Sequence, residues 1–258
     1  MSMVLTKREG AVEIITLNNP AQYNALASGV LIELTDALDQ AIAHPQTRAI
    51  LLTGAGKGFC SGAQFGGDTF SRGASIGEKM RQQINPIIER LHRSPKPVVI
   101  AVNGPAAGAG VGIALAGDIV FAARSARFIL SFVRLGAALD GGTSLFLQRS
   151  IGAARARALA LTGEPLSAER AVEWGLVWKC VDDADLFSES LAAAQRLAEG
   201  PPLAIRLIKQ QLDEAWTDNL AMSLDKEASS QTQAFITDDL REGARAFVEK
   251  RAPKFAGK

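Results

Sequence analysis

The sequence predicts an α/β fold in which mostly parallel, buried strands alternate with helices and a helical segment follows towards the C-terminus. Short apolar segments with strand character recur in the first half of the chain, separated by helical or glycine-rich segments, which is the pattern of βαβ units. They are VEIITLN (12–18), AILLTG (49–54), PVVIAVNG (97–104) and IVFAAR (119–124). No strand pattern occurs after about Pro201. We therefore expect an α/β core over residues 1–200 and a helical segment over residues 201–258.

The helices are predicted from apolar residues that recur every three or four positions. One such helix covers about 28–43 and another about 78–93. The segment DDLREGARAFVEK begins a C-terminal helix with an Asp239…Glu242 capping signal. The remaining expected elements are a polar, glycine-rich loop at 66–78, a helix of small residues that begins near Gly108, and a short strand FIL at 128–130.

Composition and charge describe an ordinary globular chain. Of the 258 residues, 47% are hydrophobic and 21% are charged, which is enough apolar material for a sizeable core. The net charge of +1 gives no electrostatic reason to expect nucleic acid or a membrane as a partner. No apolar run reaches the roughly 18–20 residues that span a bilayer, and the first residues lack a cleavable signal pattern. Cys60 and Cys180 have no metal-binding or redox spacing. We expect a cytoplasmic protein with no metal site.

Two glycine-rich segments resemble nucleotide-binding motifs but fail their spacing rules. GAGKG (54–58) lacks the Ser or Thr that follows the lysine of a phosphate loop. GAGVG (108–112) has its third glycine one residue too early for a dinucleotide fingerprint, and no acidic residue ends a strand about 20 residues later. Small residues where a strand meets a helix also let backbone N–H groups approach a ligand, and two such junctions facing one carbonyl would form an oxyanion hole. The alternative is that they only allow close helix packing.

Asp140 is the one acidic residue in the apolar, glycine-rich stretch LGAALDGGTS (135–144). Its local sequence suits a helix cap, because an aspartate there can accept hydrogen bonds from the first N–H groups of a helix that begins near Gly141. It also suits a catalytic base, because an apolar setting raises the pKa of a carboxyl group towards neutrality. A helix dipole would lower that pKa instead, so the local sequence leaves both interpretations open.

Three segments resemble the crotonase (enoyl-CoA hydratase/isomerase) superfamily, and the resemblance covers nearly the whole chain. They are GKGFCSGAQF (56–65), KPVVIAVNGPAAGAGVGIALAGDIVFAARSARF (96–128) and LSAERAVEWGLVWKCV (166–181). The resemblance implies a crotonase-like spiral of ββα units whose C-terminal helices assemble homotrimers, or hexamers built as dimers of trimers. It also implies an acyl-CoA thioester as substrate, with coenzyme A as part of that substrate and no separate cofactor.

The resemblance assigns roles to individual residues. The backbone N–H groups of Ala63 and Ala109 would hold the thioester oxygen. Asp140 falls where isomerases that act on a ring epoxide or a dienoyl thioester carry a functional aspartate. Phe65 and Phe132, with the loop around 66–77, would line an acyl pocket. The expected substrate contacts are Ala25, Gly62, Gln64, Phe65, Gly108, Gly110 and Phe132.

Departures from the family pattern favour an isomerase over a hydratase. Gly112 and Phe132 occupy the positions of the two glutamates with which hydratases of the family add water, and neither can carry a proton. Asn85 replaces the histidine that a related dehalogenase needs. A hydratase in which Asp140 alone activates water, and a non-catalytic acyl-CoA-binding homologue, remain as alternatives.

The expected contacts to the CoA phosphates also differ from those of the family. Gln22 stands where relatives often carry an Arg or Lys that touches CoA, and Gln64 replaces a common aspartate. We expect the missing positive charge to come from the tail, where Lys250, Arg251 and Lys254 are the candidates.

Overall fold

The computed structural model describes residues 2–63 and 76–258. Its strands are β1 (Val4–Glu9), β2 (Val12–Leu17), β3 (Ala49–Gly54), β4 (Val98–Val102), β5 (Ala106–Ala107), β6 (Ile119–Ala123), β7 (Arg127–Ile129), β8 (Leu166–Ser167) and β9 (Lys179–Val181). The larger sheet has six strands in the order β1–β2–β3–β4–β6–β9. β1 is antiparallel to β2, and each of the other neighbouring pairs is parallel. This topology confirms the predicted α/β class.

The middle of this sheet is buried on both faces. In the parallel pair β3–β4, Ile50 lies opposite Val98 and Leu52 lies opposite Ile100, and none of these four side chains reaches solvent. Strands that are covered on both faces need continuous apolar side chains rather than alternating ones. The two central strands are therefore held in place by packing on both faces, and the loops that follow them lead to the site described below.

The helices pack around this sheet. Their bounds are α1 (Ser28–Ala43), α2 (Ile76–Lys79), α3 (Asn85–His92), α4 (Ala109–Leu115), α5 (Thr143–Thr162), α6 (Ala168–Glu173), α7 (Leu186–Glu199), α8 (Pro202–Glu214), α9 (Leu220–Phe235) and α10 (Asp238–Glu249). The helix expected over 28–43 is confirmed as α1, and its apolar face, with Val30, Leu34 and Leu38, is buried.

The helix expected over 78–93 begins at Ile76 and contains one wider turn. A π-helical turn, Met80–Ile84, joins α2 to α3, and the Asn85 N–H donates to the Met80 carbonyl five residues earlier. Pro86 accounts for this turn, because proline has no N–H to donate and its ring excludes a regular α-helical bond at that point.

A second, three-stranded sheet lies beside the chain segment that precedes residue 63. β5 is parallel to β7, and β7 is antiparallel to β8. The strand expected at 128–130 is confirmed as β7, shifted by one residue. An isolated bridge joins Cys60 to Ala106, and another joins Leu26 to Ala63. These contacts bring the backbone that leads to Ala63 next to the backbone that leads into α4.

The helical C-terminal region is confirmed, and it is docked on the core. The Lys209 ammonium on α8 lies 2.5 Å from the Asp118 carboxylate. The Arg48 guanidinium donates to the carbonyl oxygens of Gly200 and Phe255, and so ties the chain end to the sheet. α9 and α10 expose a set of large apolar side chains: Leu220, Leu224, Phe235, Phe247 and Val248. Assembly into trimers or hexamers stays a prediction that this exposed surface suits.

The expected capping signal at Asp239…Glu242 is wrong. The side chain that caps α10 is Thr237, whose hydroxyl accepts from the Leu240 N–H at 3.2 Å. Asp239 is buried and instead accepts from the N–H groups of Ala256 and Gly257, so it holds the end of the chain against α10.

Among the helices of the described residues, none combines the length and the hydropathy needed to cross a membrane.

Candidate active site

Two backbone segments that end at Ala63 and Ala109 meet at one point of the structure. Gly62 has φ +83° and Gly108 has φ +51° with ψ −126°, and both are conformations that favour glycine. A Cβ placed on Gly62 would lie 2.6 Å from the Ala107 oxygen and 3.3 Å from the Ala109 nitrogen. The absence of that Cβ therefore allows the two backbones to touch.

Neither Ala63 nor Ala109 uses its N–H group in a hydrogen bond to another part of the described chain. At Ala109 the reason is general, because the first N–H groups of a helix have no partner within the helix. The Leu26 N–H pairs with the Gly62 carbonyl at 2.8 Å, so it fixes the segment from the other side. Two unused donors held by rigid backbone are what an oxyanion hole requires.

Both alanines line one cavity of about 190 Å³. Of the lining residues that the structure describes, three have polar side chains, namely Asp140, Lys79 and Gln83. The apolar part of the wall consists of Leu26, Leu31, Ala63, Ile76, Met80, Ile84 and Ala109. The expectation that the glycine-rich junctions and Asp140 share one site therefore agrees with the geometry.

Asp140 does not cap the helix that follows it. α5 begins at Thr143, its N-terminal flanking residue is Gly142, and no side chain caps it. The backbone carbonyl of Asp140, rather than its carboxylate, accepts from the Thr143 N–H at 3.1 Å and from the Thr143 hydroxyl at 2.8 Å. The interpretation of Asp140 as a helix cap is therefore wrong.

The Asp140 carboxylate is left in a setting that suits proton transfer. The side chain is half-buried, and its Oδ1 atom is buried with no hydrogen-bond partner among the described residues. Removal from water disfavours the charged form, and burial raises the pKa of Asp140 to about 6. A carboxyl group with that pKa is ionised at neutral pH and can still hold a proton during a reaction.

The turn that carries Asp140 rests on the first turns of α4. A Cβ on Gly112 would lie 2.2 Å from the Gly141 oxygen, so a side chain at Gly112 has no space. A Cβ on Gly141 would lie 3.5 Å from the Cα of Ala109. The same helix α4 therefore positions both the Ala109 N–H and the turn that follows Asp140.

The structure places the predicted substrate contacts Phe132, Ala25 and Gly110 beside the cavity or in its supporting backbone rather than on its wall. Phe132 is buried and its ring lies next to Gly108, at 3.8 Å from a Cβ placed there, and it is not part of the cavity wall. Ala25 is buried beside Leu26, which does line the cavity. Gly110 allows α4 to pack on Cys60, because a Cβ there would lie 2.3 Å from the Cys60 oxygen. Gln64, Phe65 and the part of the expected loop at 66–75 lie outside the described residues.

Sequence reasoning missed one wall of the cavity. It is the face of α2 and of the π-helical turn that carries Ile76, Lys79, Met80, Gln83 and Ile84. Their spacing of three and four residues is typical of one helix face, so the face itself could have been predicted. That this face covers Asp140 depends on contacts between distant parts of the chain.

Of the tail cations expected to bind CoA phosphates, Arg251 is already paired. Its guanidinium contacts Glu242 at 2.6 Å and Glu249 at 2.6 Å, and this pairing lowers the pKa of Glu242 to about 2.

Cys60 is a buried thiol whose pKa is raised to about 12 by burial, which agrees with a packing role rather than a nucleophilic one. Within residues 2–63 and 76–258, no cluster of His, Cys, Asp and Glu is suited to a metal ion.

The conformation of Gly108 leads to a prediction. We expect Gly108→Ala to cost about 1–3 kcal/mol of stability and to lower activity, because φ +51° with ψ −126° strains any residue with a Cβ and the next N–H belongs to Ala109. Space is not the problem, since the nearest atom to that Cβ lies at 3.8 Å. Chemical denaturation and kcat/KM measure the two effects. Gly10→Ala, at φ +60° with nothing within 4 Å, is the matched control; equal losses of activity in both variants would contradict a specific role for Gly108.

Comparison with known proteins identifies the family. Residues 7–258 match the family model of enoyl-CoA hydratase/isomerase. The chain is 42% identical to the 1,2-epoxyphenylacetyl-CoA isomerase of Escherichia coli (strain K12), over 100% of both chains. It is 33% identical to a trans-2-decenoyl-acyl-carrier-protein isomerase of Streptococcus mutans, over 99% of this chain and 98% of that one. A crystal structure of an enoyl-CoA hydratase from Bacillus anthracis superimposes with a TM-score of 0.94 at 32% identity, covering 99% of this chain and 100% of that one. The resemblance is confirmed, and this chain belongs to the enoyl-CoA hydratase/isomerase family of crotonase-fold enzymes.

Proposed function

We propose that this protein is an isomerase that acts on an acyl-CoA thioester through an enolate. The observation that carries the proposal is that Asp140 is the one carboxylate that the described residues bring to a largely apolar cavity, which Ala63 and Ala109 also line. Coenzyme A is part of the substrate, and the proposed chemistry requires no other cofactor.

The first step needs the two backbone donors. Loss of a proton next to a thioester is unfavourable in water, because negative charge develops on the thioester oxygen. N–H groups of Ala63 and Ala109 that donate to this oxygen would stabilise the enolate more than the ground state, by about 3–4 kcal/mol per donor in comparable sites. Both donors are held by backbone, so they need no rearrangement during the reaction.

The removal of this proton and its return at another carbon need one proton carrier. Asp140 takes the proton from C2 of a 3-enoyl thioester, and the C2–H electron pair moves into the enolate. The protonated Asp140 then returns the proton to C4, so the double bond moves from C3–C4 to C2–C3. One carboxylate is sufficient because the proton that it takes is the proton that it returns, and its raised pKa suits both directions.

Water addition is disfavoured by the same geometry. The hydratases use two glutamates, and the corresponding positions here are Gly112, which packs against Gly141, and the buried Phe132. Asp140 is the only acidic side chain on the described wall of the cavity. Activation of water and delivery of a separate proton would therefore both fall to one group.

The acyl group that we propose is derived from an aromatic ring. The 42% identity to a 1,2-epoxyphenylacetyl-CoA isomerase, over 100% of both chains, supports conversion of the ring epoxide to its oxepin and a place in phenylacetate degradation. The Leu, Ile and Met side chains on the described part of the cavity wall suit such a ring. The shift of a double bond between 3-enoyl-CoA and 2-enoyl-CoA is the simpler reaction of the same site.

The pKa of Asp140 predicts the pH dependence of this activity. A base acts in its ionised form, so we expect kcat/KM to rise with pH through about 6, the pKa to which burial raises the carboxyl group, and to level off above it. A pH series of initial rates with one 3-enoyl-CoA measures this. A profile that is flat between pH 5 and pH 8 would contradict the role of Asp140 as the base.

The test of the function is product analysis in heavy water. A 3-enoyl-CoA is incubated with the protein in D₂O, and the products are separated and their masses measured by mass spectrometry. The ring epoxide of phenylacetyl-CoA is then tested as a second substrate in the same way. A 2-enoyl-CoA product of the same elemental composition as the substrate supports the isomerase, and its deuterium content at C4 measures how often the proton on Asp140 exchanges with solvent before it is returned. A product that is heavier by one water shows a hydratase, and tight binding of the thioester without turnover shows a binding protein.

A further inference from the structure

We infer that Gln83 binds an oxygen atom of the acyl group, so that this site selects oxygen-bearing acyl thioesters over hydrocarbon ones of the same length. The inference rests on the proposed function only in taking the cavity at Asp140 as the acyl site. It assigns to Gln83 the role of a specificity-determining residue, distinct from the proton transfer at Asp140.

Gln83 is a polar residue on a buried helix face. This face continues with Ile84 at the end of the π-helical turn and with Ile87, Ile88 and Leu91 along α3, and all four are buried. The opposite, solvent-facing side carries polar residues that pair with one another, for example Gln82, whose Nε2 donates to Glu78 at 2.7 Å. Two adjacent glutamines therefore have different surroundings, since one faces solvent and the other lines the cavity.

The Gln83 amide has no partner in the part of the chain that the structure describes. The side chain is half-buried and lines the cavity with Asp140, yet none of its donor or acceptor atoms takes part in a hydrogen bond there. When a ligand fills an apolar cavity, such an amide loses its water, and it then needs a partner on the ligand. The apolar neighbours Met80 and Ile84 offer none.

The other polar groups of the wall are less suited to this role. Asp140, as an ionised carboxylate, accepts hydrogen bonds and cannot donate one to an ether or epoxide oxygen. Lys79 is exposed, and its long side chain can keep the ammonium group in water. The Gln83 Nε2 can donate to an ether, epoxide or hydroxyl oxygen, and its Oε1 can accept from a hydroxyl. A site built in this way rejects an analogue that lacks the oxygen, because the amide is then buried without a partner.

The inference is tested by binding, which does not depend on turnover. Calorimetry measures Kd for a saturated acyl-CoA thioester and for a series of analogues in which an ether oxygen replaces one methylene group, moved along the chain one position at a time. We expect wild-type protein to bind at least one analogue about tenfold more tightly than the hydrocarbon. We expect Gln83→Leu to lose this preference and Gln82→Leu to keep it.

The outcomes separate the inference from the proposed function. An equal preference in wild type and Gln83→Leu, no preference in wild type for any analogue, or a preference that is lost in Lys79→Met but kept in Gln83→Leu would each overturn the role of Gln83. Because the comparison is a ratio of two affinities for one protein, a general loss of folding in a variant does not imitate the result. If the ether preference depends on Gln83 while 3-enoyl-CoA gives no isomerised product, the inference holds and the proposed isomerase fails.

Discussion

Asp140→Asn is expected to lower kcat for 3-enoyl-CoA isomerisation by about 10²–10⁴-fold, with little change in thioester affinity. Asparagine keeps the shape of the side chain but cannot take up a proton at neutral pH. No hydrogen bond to Oδ1 from the described residues is lost, because that atom has none. Steady-state rates of 2-enoyl-CoA formation and the calorimetric Kd for the thioester measure the two quantities. Wild-type turnover in the variant would show that another group moves the proton.

The stability of Asp140→Asn provides its control. Burial raises the pKa of Asp140 to about 6, above the value of about 3.9 for an aspartate in an unfolded chain. The unfolded chain therefore ionises first as pH rises, so this carboxyl group makes the folded state progressively less stable between about pH 4 and pH 6. We expect the variant to gain stability relative to wild type at pH 7 but not at pH 4. Lower activity together with higher stability at pH 7 would exclude unfolding as the cause of the lost activity.

Gly112→Ala is expected to destabilise the protein by about 1–3 kcal/mol and to reduce isomerase activity at the same time. The new Cβ would lie 2.2 Å from the Gly141 oxygen, so either α4 or the turn next to Asp140 must move. Activity falls because α4 carries the Ala109 N–H and Gly141 adjoins the proposed base. Urea denaturation and kcat/KM for 3-enoyl-CoA measure the two losses.

Gly29→Ala is the matched control for this change. Gly29 lies in α1, and nothing lies within 4 Å of a Cβ placed on it. Replacing a helical glycine in open space by alanine stabilises a protein by about 0.4–1 kcal/mol. The two substitutions should therefore change stability in opposite directions. A Gly112→Ala variant as stable and as active as wild type would show that the contact with Gly141 is unimportant.

The same contact explains why Gly112→Glu should not create a hydratase. A glutamate at this position needs space that the Gly141 backbone occupies. The glycine that replaces the family glutamate therefore allows the turn next to Asp140 to pack directly on α4. The absence of the glutamate could be noted from the sequence, but its structural consequence could not.

Local sequence determined the α/β class, the central strands and α1. β3 and β4 consist of apolar residues that are fully buried, and the helical spacing gave the bounds of α1. These features follow from neighbouring residues, because backbone propensity and burial of one face act over a few positions. The resemblance of the glycine-rich segments likewise pointed to Ala63 and Ala109 as paired donors.

The tertiary structure alone decided where the Asp140 carboxylate lies and what surrounds it. The local sequence favoured a helix cap, yet α5 begins at Thr143 and the carboxylate is left without a partner among the described residues. Its cavity is assembled from the segment at Leu26, the helix that carries Gln83 and the start of α4 at Ala109. The pKa of a buried carboxyl group depends on how much water these distant segments exclude. That exclusion is a property of packing in three dimensions, which no short stretch of the sequence contains.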